Sequence, residues 1–360
     1  MLVYYFLIGI PTISYLFLKQ KKKHFKNLNN EEFVIVFFFL LYFVLLCLRD
    51  TSVGIDVETY LARFFKPYQD YSFAKIRSLS SEWGFGYLTK LITLFTNNPH
   101  IYLAIIAAIT VLPILYLYKE EATDGLLCIS IFIITLLFDM FFSGLRQGLA
   151  IAMGVPAFYY SKNKKLLPFA LVVILSFSFH RSGILLALIY PAYHAKITKK
   201  WLWFVVPLMI TIILFNSQIF GFLMSILESG YYGKYVSVST GYKQTSQYGQ
   251  LILYCLFSAY SYFVLDECAE ESEENIGLRN LLLLATALQC FAPLHVIASR
   301  MNFYYMLFIP VTMTRMSTYC KPEYKKLCYV AKAVMILVFV LDFFTRKGDS
   351  MSIFNYKFCF

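Results

Sequence analysis

The run 33–60, "FVIVFFFLLYFVLLCLRDTSVGIDVETY", decides how this chain must fold. Phe33 to Leu48 carries no charge at all. Its length approaches the ~17–25 residues that a helix needs to cross the hydrocarbon core of a bilayer. Arg49, Asp50, Asp56 and Glu58 then arrive together, around Gly54. The stretch reads as a membrane-spanning helix that opens onto a charged, glycine-containing turn.

The rest of the chain repeats the pattern. Of its 360 residues, 59% are hydrophobic, 19% aromatic and only 15% charged. A soluble domain of this length keeps a substantial polar exterior, so lipid must cover much of this one. The fold class is all-α, a polytopic transmembrane helical bundle forming one integral membrane domain. About twelve spans are expected, at 2–18, 33–48, 99–118, 125–142, 145–160, 166–179, 183–195, 201–220, 249–265, 278–293, 299–317 and 327–344. The two at 166–179 and 183–195 are short for full crossings, as tilted, irregular or re-entrant segments are. Met1 to Leu18 lacks a basic leader and a small-residue cleavage site, and is expected to be a retained span.

Charge fixes the orientation. The net charge is +11, but the basic residues lie in short blocks between apolar runs, without a basic face that would suit nucleic acid. "KQKKKHFK" (19–26), "SKNKK" (161–165), "KITKK" (196–200) and the stretch from Arg315 to Lys326 all fall on one side of the alternating spans. By the positive-inside rule that side is cytoplasmic. Two longer loops then face outward, at about 49–98 and 221–248. The first holds an amphipathic stretch, "GFGYLTKLITLF" (84–95), suited to the membrane interface. The second is rich in Tyr, Ser and Gly, which suits either sugar stacking or an aromatic belt. The eight cysteines are dispersed without metal-ligand spacing and read as small buried hydrophobes, so no metal is expected.

On this topology several polar groups share the outer surface: Arg49, Asp56 and Glu82 in the first loop, Arg146 with Gln147 in "SGLRQGLAIAM" (143–153), His180 and Arg181 in "SFHRSG" (178–183), and His295 and Arg300 in "HVIASRMNFYY" (295–305). An arginine at the end of a span commonly anchors to headgroups; that reading stands beside a functional one for Arg49 and is the reading for Arg181. Arg146 is harder to explain as an anchor. Apolar residues flank it, and holding an arginine near hydrocarbon costs about 2.5–3.5 kcal/mol, which calls for a partner anion. Guanidinium groups make two-pronged hydrogen bonds to phosphate oxygens and keep their charge when desolvated. The set therefore suits an anionic, lipid-embedded ligand entering from the outer leaflet, best a polyprenyl pyrophosphate bearing a sugar. Gly54 in "TSVGID" would let backbone approach such a ligand closely.

The ordered blocks Arg49-x4-Gly54-x-Asp56-x3-Tyr60, Glu82-x-Gly84-Phe85, Ser143-Gly144-Leu145-Arg146-Gln147-x2-Ala150-x-Ala152 and His180-x-Ser182 resemble the EpsG family, Wzy-like polymerases of bacterial exopolysaccharide, capsule and O-antigen. The Arg300 to Tyr304 region resembles that family's late arginine element, while Ile55 departs from the small or hydroxylated residue many relatives carry. The resemblance implies a multi-pass protein of the bacterial cytoplasmic membrane with its site facing the exterior. It implies transfer of a growing glycan from its polyprenyl-pyrophosphate carrier to the next lipid-linked repeat unit. A flippase and a chain-length regulator are the expected protein partners, alongside membrane lipids, and no cofactor is expected.

The residue types suit that reaction. A glycosyl pyrophosphate already has a good leaving group, so the needs are charge stabilisation as it departs and a base for the acceptor hydroxyl. Arg49, Arg146 and Arg300 could stabilise the pyrophosphate without a divalent metal, with Gly54, Tyr60, Gln147 and Tyr304 completing the binding surface. Asp56 is the leading base, with His180 and Glu82 behind it, and Asp56 could instead orient an arginine. Direct attack would invert the anomeric centre. A flippase for the same lipid-linked oligosaccharide, a ligase using the same chemistry and a structural partner in glycan export are the alternatives. A flippase should place charges along a cavity reached from both faces, often with repeats; here the polar groups collect on one side.

Overall fold

The computed structural model describes residues 2–21, 28–197, 199–227, 246–268, 272–293, 296–345 and 353–360. Among them helices dominate, with isolated β-bridges joining Arg49 to Phe358 and Leu265 to Cys320. The chain forms two compact units, Met1–Ala187 with Tyr329–Phe360, and Leu188–Cys328.

The first unit is organised around α2 (Asn30–Leu48). Its start is a capping box: the Asn29 side chain accepts from the Glu32 amide at 2.8 Å and the Glu32 carboxylate accepts from the Asn29 amide at 3.0 Å. Nothing interrupts the following apolar run, and 19 residues at 1.5 Å each reach ~28 Å. It packs against α1 (Leu2–Lys21), α7 (Pro99–Glu121) and α8 (Gly125–Ile134). Phe38, Phe39, Tyr42, Tyr118, Phe132 and Phe138 fill the seam as edge-on and tilted rings, an arrangement that suits the ring quadrupole.

Each end of this unit has its own polar ties. At one end Glu31 accepts from the Tyr15 hydroxyl at 2.7 Å and the Gly125 amide at 2.8 Å, while Asp124 caps α8 and pairs with Lys332. Lys162 and Glu121 meet at 3.1 Å. At the other end of α2, residues 48–50 pair antiparallel with 357–359: Asp50 N donates to Lys357 O and Cys359 N to Leu48 O, both at 2.9 Å.

Among the described residues, α2 and α7 are each long and apolar enough to cross a membrane, and α8 with α9 (Leu137–Ser143) makes a third candidate bent by 60°. Twelve straight spans are therefore too regular a description. Expected spans 145–160 and 299–317 are each two helices, α10 (Leu145–Ala152) with α11 (Gly154–Lys162), and α18 (Val296–Met306) with α19 (Ile309–Thr318). Proline explains both breaks. The rings of Pro156 and Pro310 fall four residues after Ala152 and Met306, where each removes an amide donor and crowds that residue's carbonyl, favouring a break. Expected span 201–220 is likewise divided, into α14 (Leu202–Leu214) and α15 (Asn216–Leu227).

The 49–98 stretch, expected as a loop, is largely helical. It runs through α3 (Val57–Tyr60), a π-turn (Leu61–Phe65), α4 (Lys66–Tyr68), α5 (Phe73–Leu79) and α6 (Trp83–Thr93). Tyr60, Leu61, Phe65, Tyr68, Ile76 and Phe85 are buried, so this stretch packs on the unit. Leu91, Leu94 and Phe95, at the end of α6, are exposed. The second expected loop, 221–248, lies mostly outside the described residues. After α12 (Leu166–Phe179) comes a 3₁₀ segment (Arg181–Leu188) and α13 (Ile189–His194).

In the second unit α16 (Ser246–Val264) and α17 (Ser272–Gln289) pack together, with α18 and α19 against α17. Buried amides bridge them: Gln289 donates to Gln247 Oε1 at 3.0 Å, and Asn302 donates to Gln289 Oε1 at 2.9 Å. Such bonds hold helices together where no water can replace them. Buried Arg279 meets Glu267 at 2.6 Å, and Arg315 meets Asn275 at 2.7 Å. The last helix, α20 (Lys325–Thr345), begins in this unit and returns to the first.

Candidate active site

The turn that ends α2 is built from its own side chains. Asp50 Oδ1 accepts from the Ser52 amide at 3.0 Å and the Ser52 hydroxyl at 2.6 Å, an Asx-type turn. Gly54 follows at φ +103°. A Cβ at that position would collide with the carbonyl of Phe142, so the left-handed backbone and the close approach both demand glycine. The turn sets Asp56 beside the end of α9. Asp56 N donates to Ser143 Oγ at 3.2 Å, and the Ser143 hydroxyl lies 3.5 Å from Asp56 Oδ2.

Ser143 leads through Gly144 into α10, whose second residue is Arg146. Its guanidinium donates from Nη1 to Glu82 Oε2. Glu82 stands just before α6 and is 2% exposed. Its other oxygen, Oε1, lies 2.6 Å from His180 Nδ1 and accepts from the Arg181 amide at 3.2 Å. One carboxylate thus ties together the starts of α6 and α10 and the end of α12. Here is the anion that the sequence position of Arg146 calls for.

Glycine makes the junction between α6 and α12 possible. A Cβ on Gly84 would overlap Ser178 Oγ and come within 2.8 Å of Ser178 Cβ. With hydrogen there, α6 lies against α12 closely enough for Glu82 to meet the ring two residues after Ser178. On the opposite side, Arg146 Cζ sits 5.4 Å from the Tyr60 ring centroid and 5.2 Å from that of Phe64. These are cation–π distances. Both rings come from the segment containing the π-turn, where the Lys66 amide donates to Leu61 O, five residues back. Such turns occur frequently at functional sites.

The charges fit this geometry. Burial works to raise the pKa of Glu82, but the hydrogen bond of His180, its charge whenever the imidazole is protonated, the charge of Arg146 and the Arg181 amide outweigh it. The net result is a carboxyl held below its ordinary range. Glu82 is therefore an ionised acceptor with both oxygens occupied. Its contact with Nδ1 suits the tautomer in which Nδ1 carries hydrogen and Nε2 is an acceptor.

The structure brings Asp56, Tyr60, Glu82, Arg146 and His180 into one neighbourhood. Arg49, in the same unit, is 1% exposed and donates to the Phe142 carbonyl, the oxygen that Gly54 crowds. Gln147 is buried on α10. Arg300 and Tyr304 belong to the second unit, on α18, with Arg300 exposed and Tyr304 buried. His295 lies outside the described residues. Among the described residues no group of three His, Cys, Asp or Glu side chains is arranged to hold a metal ion.

Sequence reading missed four contributors: Ser143 beside Asp56, Phe64 under Arg146, the Gly84–Ser178 contact and the Arg181 amide. Phe64 had one available signal, its position four residues after Tyr60, which puts both rings on one helical face. No curated protein and no solved structure matches the chain. The family model described as EpsG does match it, over residues 32–358, nearly the whole length and including every residue of this cluster; the chain belongs to the EpsG family.

Proposed function

We propose that this protein is a membrane glycosyltransferase that polymerises lipid-linked repeat units of an exopolysaccharide, capsule or O-antigen. It transfers the growing glycan from polyprenyl pyrophosphate to the next lipid-linked unit at the outer face of the cytoplasmic membrane. Family membership supports the activity. The observation that carries the mechanism is the Arg146–Glu82–His180 cluster, which joins three outward-facing segments far apart in sequence.

In this reading His180 is the base. Glu82 holds Nδ1 and leaves Nε2 to take the proton of the acceptor hydroxyl. The hydroxyl oxygen bonds to the anomeric carbon as the bond from that carbon to the pyrophosphate oxygen breaks. Polyprenyl pyrophosphate leaves with the electron pair, and direct displacement inverts the centre. The trio of Arg146, Glu82 and neutral His180 is formally neutral, and accepting the proton makes it positive just as negative charge builds on the leaving group. Arg146 supplies the charge-assisted donors for that group. Asp56 is the second carboxylate of the site, set by Ser143 to orient the acceptor. Gly54, Tyr60 and Gln147 frame this side; the resemblance of the Arg300 to Tyr304 region to the family's late arginine element supports a part for Arg300 and Tyr304 in pyrophosphate and sugar binding.

The test is reconstitution of purified protein in bilayers with native lipid-linked repeat unit. A ladder of oligomers together with released polyprenyl pyrophosphate is expected. Saturable binding of the unit without any ladder would overturn polymerisation and favour a flippase.

A further inference from the structure

Arg49 stands out among the outer-face cations because it is buried against backbone. Only 1% of it is exposed, and Nη1 donates to the carbonyl of Phe142. The Phe142 ring lies 5.7 Å from its Cζ. Residues 357–359 run antiparallel to 48–50, with Phe358 opposite Arg49. Two further bonds fasten the same segment: Tyr4 donates to Ile353 O at 2.6 Å, and Tyr356 donates to Leu45 O at 2.7 Å. The Phe142 carbonyl closes α9, immediately before Ser143, Gly144 and the arginine of the active site. Gly54 packs on that same carbonyl.

We infer that Arg49 is a positioning residue and that the 353–360 segment is a strap holding it in place, so that together they fix the Phe142–Arg146 turn from behind. The inference rests on the polymerase reading for its kinetic consequence, but its structural core does not. A guanidinium that serves one carbonyl differs chemically from one that clamps a pyrophosphate. The first needs a single donor at the right reach, which a lysine can supply. The second depends on a planar two-pronged fork, which a lysine lacks. A strap bonded to the backbone on either side of Arg49 should matter to the first role and be irrelevant to the second.

The test compares wild type with Arg49→Lys, Arg49→Ala, a deletion of 353–360, the Arg49→Ala deletion combination, and the milder Cys359→Pro, which removes the amide donated to Leu48. Two readouts are taken in reconstituted bilayers. Hydrogen exchange over residues 140–150 should accelerate in Arg49→Ala and in the deletion, with Cys359→Pro intermediate, and should stay near wild type in Arg49→Lys. In the ladder assay kcat should fall about 10–100-fold in Arg49→Ala and in the deletion, the scale of a small misplacement. The KM for lipid-linked unit should stay within about twofold, and the combination should be no worse than either change alone. Unchanged exchange over 140–150 in Arg49→Ala would overturn the inference. So would a raised KM in Arg49→Lys with normal kinetics in the deletion, the pattern of a pyrophosphate contact. If wild type makes no ladder the polymerase reading fails, while the exchange data still decide the role of Arg49.

Discussion

Glu82 accepts from Arg146 on one oxygen, and meets His180 and the Arg181 amide on the other. A glutamine there can offer one oxygen only, leaving either the arginine or the imidazole without its partner. Glu82→Gln should therefore lower kcat about 10²–10⁴-fold, the span of general-base contributions. It should also cost about 1–3 kcal/mol of stability from the buried donor left unmatched. Thermal unfolding in detergent and single-turnover kinetics measure the two separately. The pH dependence has a definite sign. Because the folded state holds Glu82 below its ordinary pKa, its contribution is fully present above the unfolded value, about 4.3 for glutamate. It is lost as pH falls through the depressed folded value. Acid should thus erode the melting temperature of wild type below about pH 4 more steeply than that of Glu82→Gln; parallel acid limbs would contradict the assignment. That Arg146 needs an anion was legible in the sequence, from an arginine between apolar flanks. Which anion was not, since Glu82 lies 64 positions away and His180 a further 98 from Glu82.

At the scale of elements, the site depends on how closely α6 lies on α12. Gly84→Ala inserts a methyl against Ser178 and should swing Glu82 away from His180, lowering kcat about 10²-fold for a shift near 1 Å. Removing the opposing side chain with Ser178→Gly should restore part of that loss; no recovery in the pair would show that the contact does not set the geometry. Gly54→Ala adds a left-handed strain and a collision with Phe142, and should cost about 1–3 kcal/mol in detergent melting. Pro156 and Pro310 stand just past the breaks before α11 and α19, yet each lies within a single span expected from the sequence, because a proline does not always stop a helix: Pro113 lies inside the unbroken α7. The bend between α8 and α9 was not legible. It turns on Leu136 at φ 63°, a left-handed conformation that a leucine in the sequence does not advertise. The helices within 49–98 escaped notice for a related reason: they are short, and tertiary contacts rather than periodicity stabilise them.

For the whole molecule, the orientation proposed from the basic blocks predicts 49–60, 143–146 and 180–182 on the outer side and 161–165 on the cytoplasmic side. The pairing of 48–50 with 357–359 would carry 353–360 to the outer side with them. Cysteines placed at exposed Glu58 and Lys357 should react with an impermeant thiol reagent added to intact cells, and one at Lys164 only after permeabilisation, in a background cleared of native cysteines. Labelling of Glu58→Cys from the cytoplasmic side would invert the topology. The central claim is that Arg146, Glu82 and His180 act as one unit in glycan transfer. The most direct measurement follows ladder formation and binding of lipid-linked repeat unit by Arg146→Lys, His180→Gln, and the double variant in bilayers. The account predicts that each single change nearly abolishes the ladder, that His180→Gln leaves binding within about threefold, and that the double variant is no slower than the worse single one. A normal ladder from His180→Gln, or losses that simply multiply in the double variant, would contradict it.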